Sequence, residues 1–257
     1  MQVKFLTDYP AAFISEEKML VISDIHIGVE SELGKLGVRI HKQIEKFTSV
    51  LDKLIEETKA DTLVILGDVK HKVPGASMQE LRDIPKFLNH LSTKAKIIIC
   101  KGNHDDFLEK LIPANVKLYG SKGFRKGKYG FFHGHAWPSK ALLKCDYIFM
   151  GHLQPAVEFR DKLGYRSRQQ VWLKGKMDEK VMKKKYKTNK TGKLDVIVVP
   201  SFNPMLGSLN VMAKKNLSGP LLANNAVNLE EMKAYLLDGT SLGMLKNIRK
   251  KFRMYNI

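Results

Sequence analysis

The sequence predicts an α/β fold, and three observations carry that reading. Short runs of Val, Ile and Leu recur along the first part of the chain, and segments of helical apolar spacing separate the first three of them. Each run ends in a cluster of glycine and polar residues. Strand, helix, strand, helix, strand is the pattern of a sheet covered on its faces. In open sheets of this kind the ligand site lies beyond the carboxyl ends of the strands, where these clusters fall.

The elements follow in order. Val3 to Ile14 reads as short strand pieces, and Met19 to Ile22 as a buried strand leading into Ser23-Asp24-Ile25-His26. Ile40, Ile44, Phe47, Leu51, Leu54 and Ile55 then repeat at helical spacing, with Lys and Glu on the other face. Thr62 to Leu66 leads into Gly67-Asp68. Met78 to Leu91 is a second amphipathic helix whose apolar face comprises Met78, Leu81, Ile84, Phe87, Leu88 and Leu91. Ile97 to Cys100 leads into Lys101-Gly102-Asn103-His104-Asp105, Tyr129 to Phe132 into His133-Gly134-His135, and Tyr147 to Met150 into Gly151-His152. Leu194 to Val199 is another strand, and Met232 to Leu245 a hairpin around Asp238-Gly239.

Composition narrows the class. Hydrophobic residues at 44% and charged residues at 27% exclude a disordered, collagenous or coiled-coil chain. At 257 residues the chain suits one domain, 1–257, with a basic insertion at about 160–193. No apolar run approaches the roughly 18 residues of a membrane span. Met1 to Glu17 carries Lys4, Asp8 and Pro10 where a signal peptide needs an apolar stretch. The expected location is therefore cytoplasmic, without a membrane partner. Cys100 and Cys145 lie at the edges of apolar runs and are expected to be buried thiols rather than a disulfide.

The formal charge of +18 attracts polyanions. It is concentrated between Arg160 and Lys193, where thirteen Lys and Arg, Lys162 among them, stand against three acids. Lys183, Lys184 and Lys185 are the candidates for contact with DNA or RNA; the alternative is a solvated, lysine-rich surface. Trp137 and Tyr165 are placed to stack on bases or to pack at the rim, and neither is assigned.

Alone, each strand-end cluster is weak, because an Asp there is often a cap or turn residue. Together they present Asp24-x-His26, Gly67-Asp68, Gly102-Asn103-His104-Asp105, His133-Gly134-His135 and Gly151-His152 in order. Imidazole with carboxylate and amide oxygen suits divalent ions such as Mn, Fe, Zn, Ni or Co. The absence of thiolates in the clusters disfavours a structural zinc knuckle. Converging carboxylates and imidazoles sit poorly without cations, so one metal cluster is more economical than five separate structural roles.

These five motifs, in this order, resemble the calcineurin-like metallophosphoesterase superfamily. The phrases Gly67-Asp68-Val69-Lys70-His71, His133-Gly134-His135-Ala136-Trp137-Pro138 and Gly151-His152-Leu153-Gln154-Pro155 are further similar to archaeal phosphoesterases related to the double-strand-break repair nuclease and to bacterial ligase-associated phosphoesterases. The resemblance implies a layered α/β/β/α sandwich and two divalent ions, Mn foremost. It places Asp24 and His26 on the first ion, Asp68 between the two, and Asn103, His133 and His152 on the second. His133, at the strand end, is preferred as the ligand with His135 the alternative; if His133 ligates, His135 is left to substrate. It implies a phosphate-ester substrate, a phosphodiester of nucleic acid or nucleotide, attacked by hydroxide generated between the ions. His104 would face that substrate and Asp105 would orient its imidazole. The family pattern Gly-His-x-His is here Gly151-His152-Leu153-Gln154, so Gln154 would complete the first site as a weaker donor. That departure leaves a second reading, a non-catalytic metal- or nucleic-acid-binding scaffold on the same fold.

Overall fold

Runs of β-branched residues build the first sheet. The structure, a computed structural model, describes residues 3–38, 40–161, 163–206, 209–211 and 219–254. Strands β1 (Val3–Phe5), β2 (Ala12–Ile14), β3 (Met19–Ile22), β4 (Thr62–Ile65), β5 (Lys96–Cys100) and β6 (Lys117–Tyr119) lie side by side in chain order. The first three form an antiparallel meander, and β3 to β6 are parallel. Helices α1 (Val29–Lys35), α2 (Ile44–Thr58) and α3 (Met78–Ser92) fall in the β3–β4 and β4–β5 crossovers.

The second sheet contains β7 (Phe124–Lys126), β8 (Tyr129–Phe132), β9 (Tyr147–Met150), β10 (Pro155–Arg160), β11 (Arg166–Lys176), β12 (Asp195–Val198), β13 (Leu209–Asn210), β14 (Lys233–Leu236) and β15 (Ser241–Met244). Its path runs β13-β10-β11-β12-β9-β8-β7, with β14 joined to β11 and β15. Helices α4 (Glu179–Tyr186), α5 (Pro220–Ala223) and α6 (Leu245–Met254) complete the chain order.

Alternation along each strand divides the core into three. Between the sheets, Ile14, Val21 and Val64 meet Tyr129, Phe131, Phe149, Trp172 and Ile197. On the opposite face of the first sheet, Leu20, Ile22, Leu63, Ile65, Ile97 and Ile99 pack against Phe47, Leu51 and Leu54 of α2 and Ile84, Leu88 and Leu91 of α3. On the outer face of the second, Ile148, Val171, Leu173, Val196 and Val198 pack with Met182, Leu221, Leu245 and Ile248. The layers are therefore helix, sheet, sheet, helix, and the chain has the expected sandwich.

The predicted apolar face of α3 needs correction. Met78 is 81% exposed and Leu81 41%, whereas Glu80 is buried. Ser77 and Glu80 form a capping box, and the Glu80 carboxylate also accepts from the His71 and Lys72 backbone N–H groups at 2.8 and 2.7 Å. The first turn is thus set by its polar cap, and packing begins at Ile84. Ile40 lies outside α2, and α1 is an additional element. Cys100 and Cys145 are both buried and free.

The basic segment runs through the end of β10, through β11 and through α4; Lys162 lies outside the described residues. Val171, Trp172 and Leu173 of β11 are fully buried. Among the described residues no helix is long and apolar enough to cross a membrane.

Candidate metal centre

All five polar clusters follow the carboxyl ends of parallel strands. Asp24 and His26 come after β3, Asp68 after β4, Asn103 to Asp105 after β5, His133 after β8, and His152 after β9. The backbone turns sharply there. Asp24, His26, Asp68, His152 and Gln154 all have positive φ, at 54°, 46°, 51°, 68° and 43°. A side chain in that region costs about 1 kcal/mol or more, so the strain is concentrated where polar groups are gathered. Two glycines permit the crowding. A Cβ on Gly102 would lie 2.2 Å from Asp68 Oδ1, and one on Gly151 would lie 1.8 Å from Ser23 Oγ.

Asp68 is the centre of the cluster. Its Oδ2 is 3.3 Å from His26 Nε2 and 3.3 Å from His133 Nε2, and all three side chains are buried. Asp24, His26 and Asp68 form one set of converging donor atoms, and Asp68, His133 and His152 form another. Asn103 joins the second set, its Oδ1 lying 3.2 Å from His133 Nε2. Gln154 joins the first, its Nε2 at 3.3 Å from Asp24 Oδ1 and 3.2 Å from His26 Nε2. Turning that amide over would offer its oxygen to the same place.

The donor chemistry fits cations. His133 Nδ1 lies 2.6 Å from the Leu66 carbonyl oxygen and therefore donates to it. In the neutral ring, Nε2 is then a lone pair facing the oxygens of Asp68 and Asn103. Such a meeting of acceptors needs a proton or a metal between them. Burial opposes a charged His133, yet Asp68 beside it raises its pKa to about 9. Burial also opposes the charge on Asp68, but His133 and His26 hold its carboxyl well below the usual range. Asp24 is pushed up, chiefly by burial. His152 is lowered to about 4, by burial and then by His133. A desolvated pocket of oxygen and imidazole lone pairs is thus strongly disposed to hold positive charge.

One predicted contact is corrected. Asp105 makes no hydrogen bond to the His104 ring; its carboxylate accepts from the backbone N–H groups of Asp68, Val69 and Gly102, each at 2.8 Å, and of Lys70 at 3.4 Å. The tight turn at Gly102–Asp105 folds the side chain back beneath the loop, joining the Asp68 and Asn103 segments. His104 Nδ1 is instead 2.6 Å from the His71 carbonyl oxygen, and the His104 N–H donates to Asp68 Oδ1 at 2.9 Å.

His71 was not selected from sequence, although it lies among these groups. Its Nδ1 is 3.1 Å from His26 Nδ1 and its Nε2 3.0 Å from the Glu32 carboxylate. The parallel bridge between Ile27 and Lys70 brings it there, a placement with no local sequence signal beyond its spacing from Asp68. His135 stands at the rim. Its ring centre is 5.2 Å from that of His133, burial lowers its pKa to about 4, and its Nδ1 is buried without a hydrogen-bond partner.

Of the three α4 lysines, Lys185 is tied to the loop that follows His133. Lys185 Nζ is 4.8 Å from the centre of the Trp137 ring, and the Tyr186 hydroxyl donates to the Pro138 carbonyl. The carboxyl end of α4 therefore packs on the loop that follows His133, while Lys183 pairs with Glu179 at 2.8 Å. Trp137 is half-buried against the outer core, whereas Tyr165 is 73% exposed.

An α/β/β/α sandwich with Asp and His side chains gathered at the strand ends of both sheets defines a class of metal-binding hydrolases. The chain matches the calcineurin-like phosphoesterase family over residues 17–230, and it belongs to that family. Among solved structures it is similar to Pseudomonas putida nuclease MPE, with 17% identity, a TM-score of 0.61, and coverage of 93% of this chain and 94% of that one. It is also similar to Yfce, a phosphoesterase from E. coli, with 16% identity, a TM-score of 0.42, and coverage of 88% and 96%.

Proposed function

We propose that the protein is a phosphodiesterase that works with two divalent ions, Mn foremost, on the phosphodiester of a nucleic acid or nucleotide. The observation that carries this reading is the Asp68 carboxylate, whose Oδ2 lies 3.3 Å from an imidazole Nε2 on each side. Asp24, His26, Asp68 and Gln154 would hold one ion; Asp68, Asn103, His133 and His152 would hold the other. When bound, such a pair supplies Lewis acidity at phosphoryl oxygens and acidifies water near neutral pH.

The remaining work belongs to the chain. His104 donates its Nδ1 hydrogen to the His71 carbonyl, which fixes the tautomer and leaves Nε2 as the ring atom for substrate. Asp105, a positioning residue, ties the Asp68 loop to the Gly102 turn through backbone donors. Ser23 donates to the Asp24 carboxylate and Leu66 receives the His133 Nδ1 hydrogen, so both metal-facing side chains are held from behind. His135 would line the approach, and Lys183, Lys184 and Lys185 would supply positive charge from the helix whose end packs on the loop after His133.

The test is hydrolysis of an aryl phosphodiester by metal-stripped protein titrated with Mn, with metal content measured. Mn-dependent turnover with two ions per chain is expected. His104→Ala should keep both ions and lose most turnover. Full activity in that variant, or no turnover with Mn, Ni, Co or Zn, sinks the reading.

A further inference from the structure

The register of the second sheet lifts two strands away from it. Leu173 of β11 lies opposite Val198 of β12, Val198 is level with Met150 of β9, and Met150 is level with Phe132 of β8. The metal-centre residues follow immediately after Phe132 and Met150. From Leu173 back to Arg166, β11 continues past that level for seven residues, or about 24 Å at roughly 3.4 Å per residue. Residues 166–170 pair with β10, whereas 171–176 are shared with β12 and β14. The result is a ribbon rising from the carboxyl edge where the metal centre sits: its base pairs with β13 at Pro155 and Ala156 and packs Val157 and Phe159 on the outer core, and beyond that base β10 and β11 pair only with each other among the described residues.

Both feet of the ribbon stand on that centre. Gln154 immediately precedes β10 and contacts Asp24 and His26. Gln170 donates to the Ser201 carbonyl at 2.8 Å, and Ser201 Oγ donates to the Asp24 carbonyl at 2.8 Å. The tip is a built turn. Asp161 Oδ1 accepts from the N–H groups of Leu163 and Tyr165 at 2.9 Å each, and the Asp161 N–H donates to the Tyr165 carbonyl at 3.0 Å. This turn holds Leu163 95% exposed and Tyr165 73% exposed. Lower on the ribbon, Glu158 aligns the guanidinium groups of Arg168 at 3.0 Å and Arg166 at 3.7 Å. Arg160, Arg166 and Arg168 are all exposed.

Above its base the ribbon has no further strand beside it among the described residues, and a two-stranded ribbon with open edges is marginal in water and invites wrong partners. An exposed aromatic tip above a row of arginines suits a polynucleotide, offering a ring for a base and guanidiniums for the phosphates on either side. A small ester would be reached by neither. The lysine-bearing end of α4 packs on the loop after His133, so a polyanionic chain reaching that loop would meet further positive charge.

We propose that the described part of the ribbon, 156–161 with 163–170, is a substrate arm that engages the sugar-phosphate backbone of a polynucleotide and steers one phosphodiester into the metal centre. The proposal rests on the phosphodiesterase reading for its chemistry, but its binding step is measurable without turnover. The test compares the full chain with two surface variants, Arg160→Gln/Arg166→Gln/Arg168→Gln and Leu163→Ser/Tyr165→Ala, each checked for unchanged thermal unfolding. Binding of labelled single-stranded and duplex DNA 20-mers is followed in EDTA across a salt series. The arginine variant should weaken binding at least about tenfold and flatten the log–log salt slope by about two. The tip variant should weaken binding several-fold with the slope retained. With metal restored, the ratio of oligonucleotide to aryl-diester kcat/KM should fall about tenfold in the arginine variant.

Wild-type affinity and slope in both variants overturn the proposal, as does an absence of oligonucleotide binding by the unaltered chain. Conversion of a dimer to a monomer by the tip variant, with DNA affinity unchanged, also overturns it and assigns the tip to a second copy of this chain. Arm-dependent DNA binding without turnover of any ester would instead retain the arm and remove the phosphodiesterase reading.

Discussion

The two halves of the metal centre are built from different donors. The half formed by Asp68, His133, His152 and Asn103 offers two imidazoles, and His133 is fixed from behind by the Leu66 carbonyl. The half formed by Asp24, His26 and Asp68 offers one imidazole and has the Gln154 amide beside it, which the proposed reading makes its fourth donor. An amide oxygen is a weaker donor than imidazole for borderline ions. In the proposed two-ion reading, the shared Asp68 carboxylate would serve two sites of unequal strength, and the halves should then fill in sequence.

The largest effect follows from removing what they share. Asp68→Ala should empty both halves together and reduce turnover by on the order of 10³-fold. Metal content per chain, measured after gel filtration, checks this. One ion retained would show that the halves are independent, and the comparison would lose its basis.

Asp105→Asn should act on both halves through the backbone. The carboxylate is buried and receives four N–H donors from Gly102, Asp68, Val69 and Lys70. Burial and the charge on Asp68 raise its pKa, while the backbone donors at Gly102 and Lys70 oppose that rise. An amide presents N–H groups to N–H groups at part of this junction, at a cost of about 2 to 3 kcal/mol. Thermal unfolding should fall by roughly 4 to 12 °C. The affinities of both halves should weaken together, because Asp68 and Asn103 are seated on the joined loops. Weakening confined to one half would assign Asp105 to that half alone.

Why some of this was legible in the sequence, and some not, has a physical basis. The strand ends were legible because a buried parallel strand is a continuous apolar run, and Met19–Ile22, Thr62–Ile65 and Tyr147–Met150 end abruptly at Ser23, Gly67 and Gly151. The direction of the Asp105 side chain was not, since proximity in sequence suggests His104 while the turn aims the carboxylate at Gly102 and Asp68. His71 depends on a bridge between Ile27 and Lys70, a contact between distant segments. The ribbon was hidden by its own composition. Val157 and Phe159 do alternate with Glu158 and Arg160, but over too few residues to stand out, and Arg166 to Gln170 on the facing strand offers no apolar residue at all because that part of the ribbon has little to bury.

The smallest effect asked of the comparison is its most direct measure. Gln154→His should strengthen the weaker half by on the order of tenfold, or about 1.4 kcal/mol, by replacing an amide with an imidazole. The backbone there has φ of 43°, a conformation that histidine tolerates better than bulkier or β-branched residues. Gln154 also lies one residue before β10, so a surface-neutral outcome requires that the ribbon keep its register. Calorimetric titration with Mn should show two steps in the unaltered chain and a narrowed gap between them in the variant. A tighter first step with the second unchanged would place the weaker ion in the His133 half and reverse the order of filling. An unchanged gap would mean that the Gln154 side chain supplies hydrogen bonds to Asp24 and His26 rather than a ligand. In that case the inequality of the two halves would have to come from His26, whose Nδ1 faces a second imidazole at His71 where His133 has a backbone carbonyl.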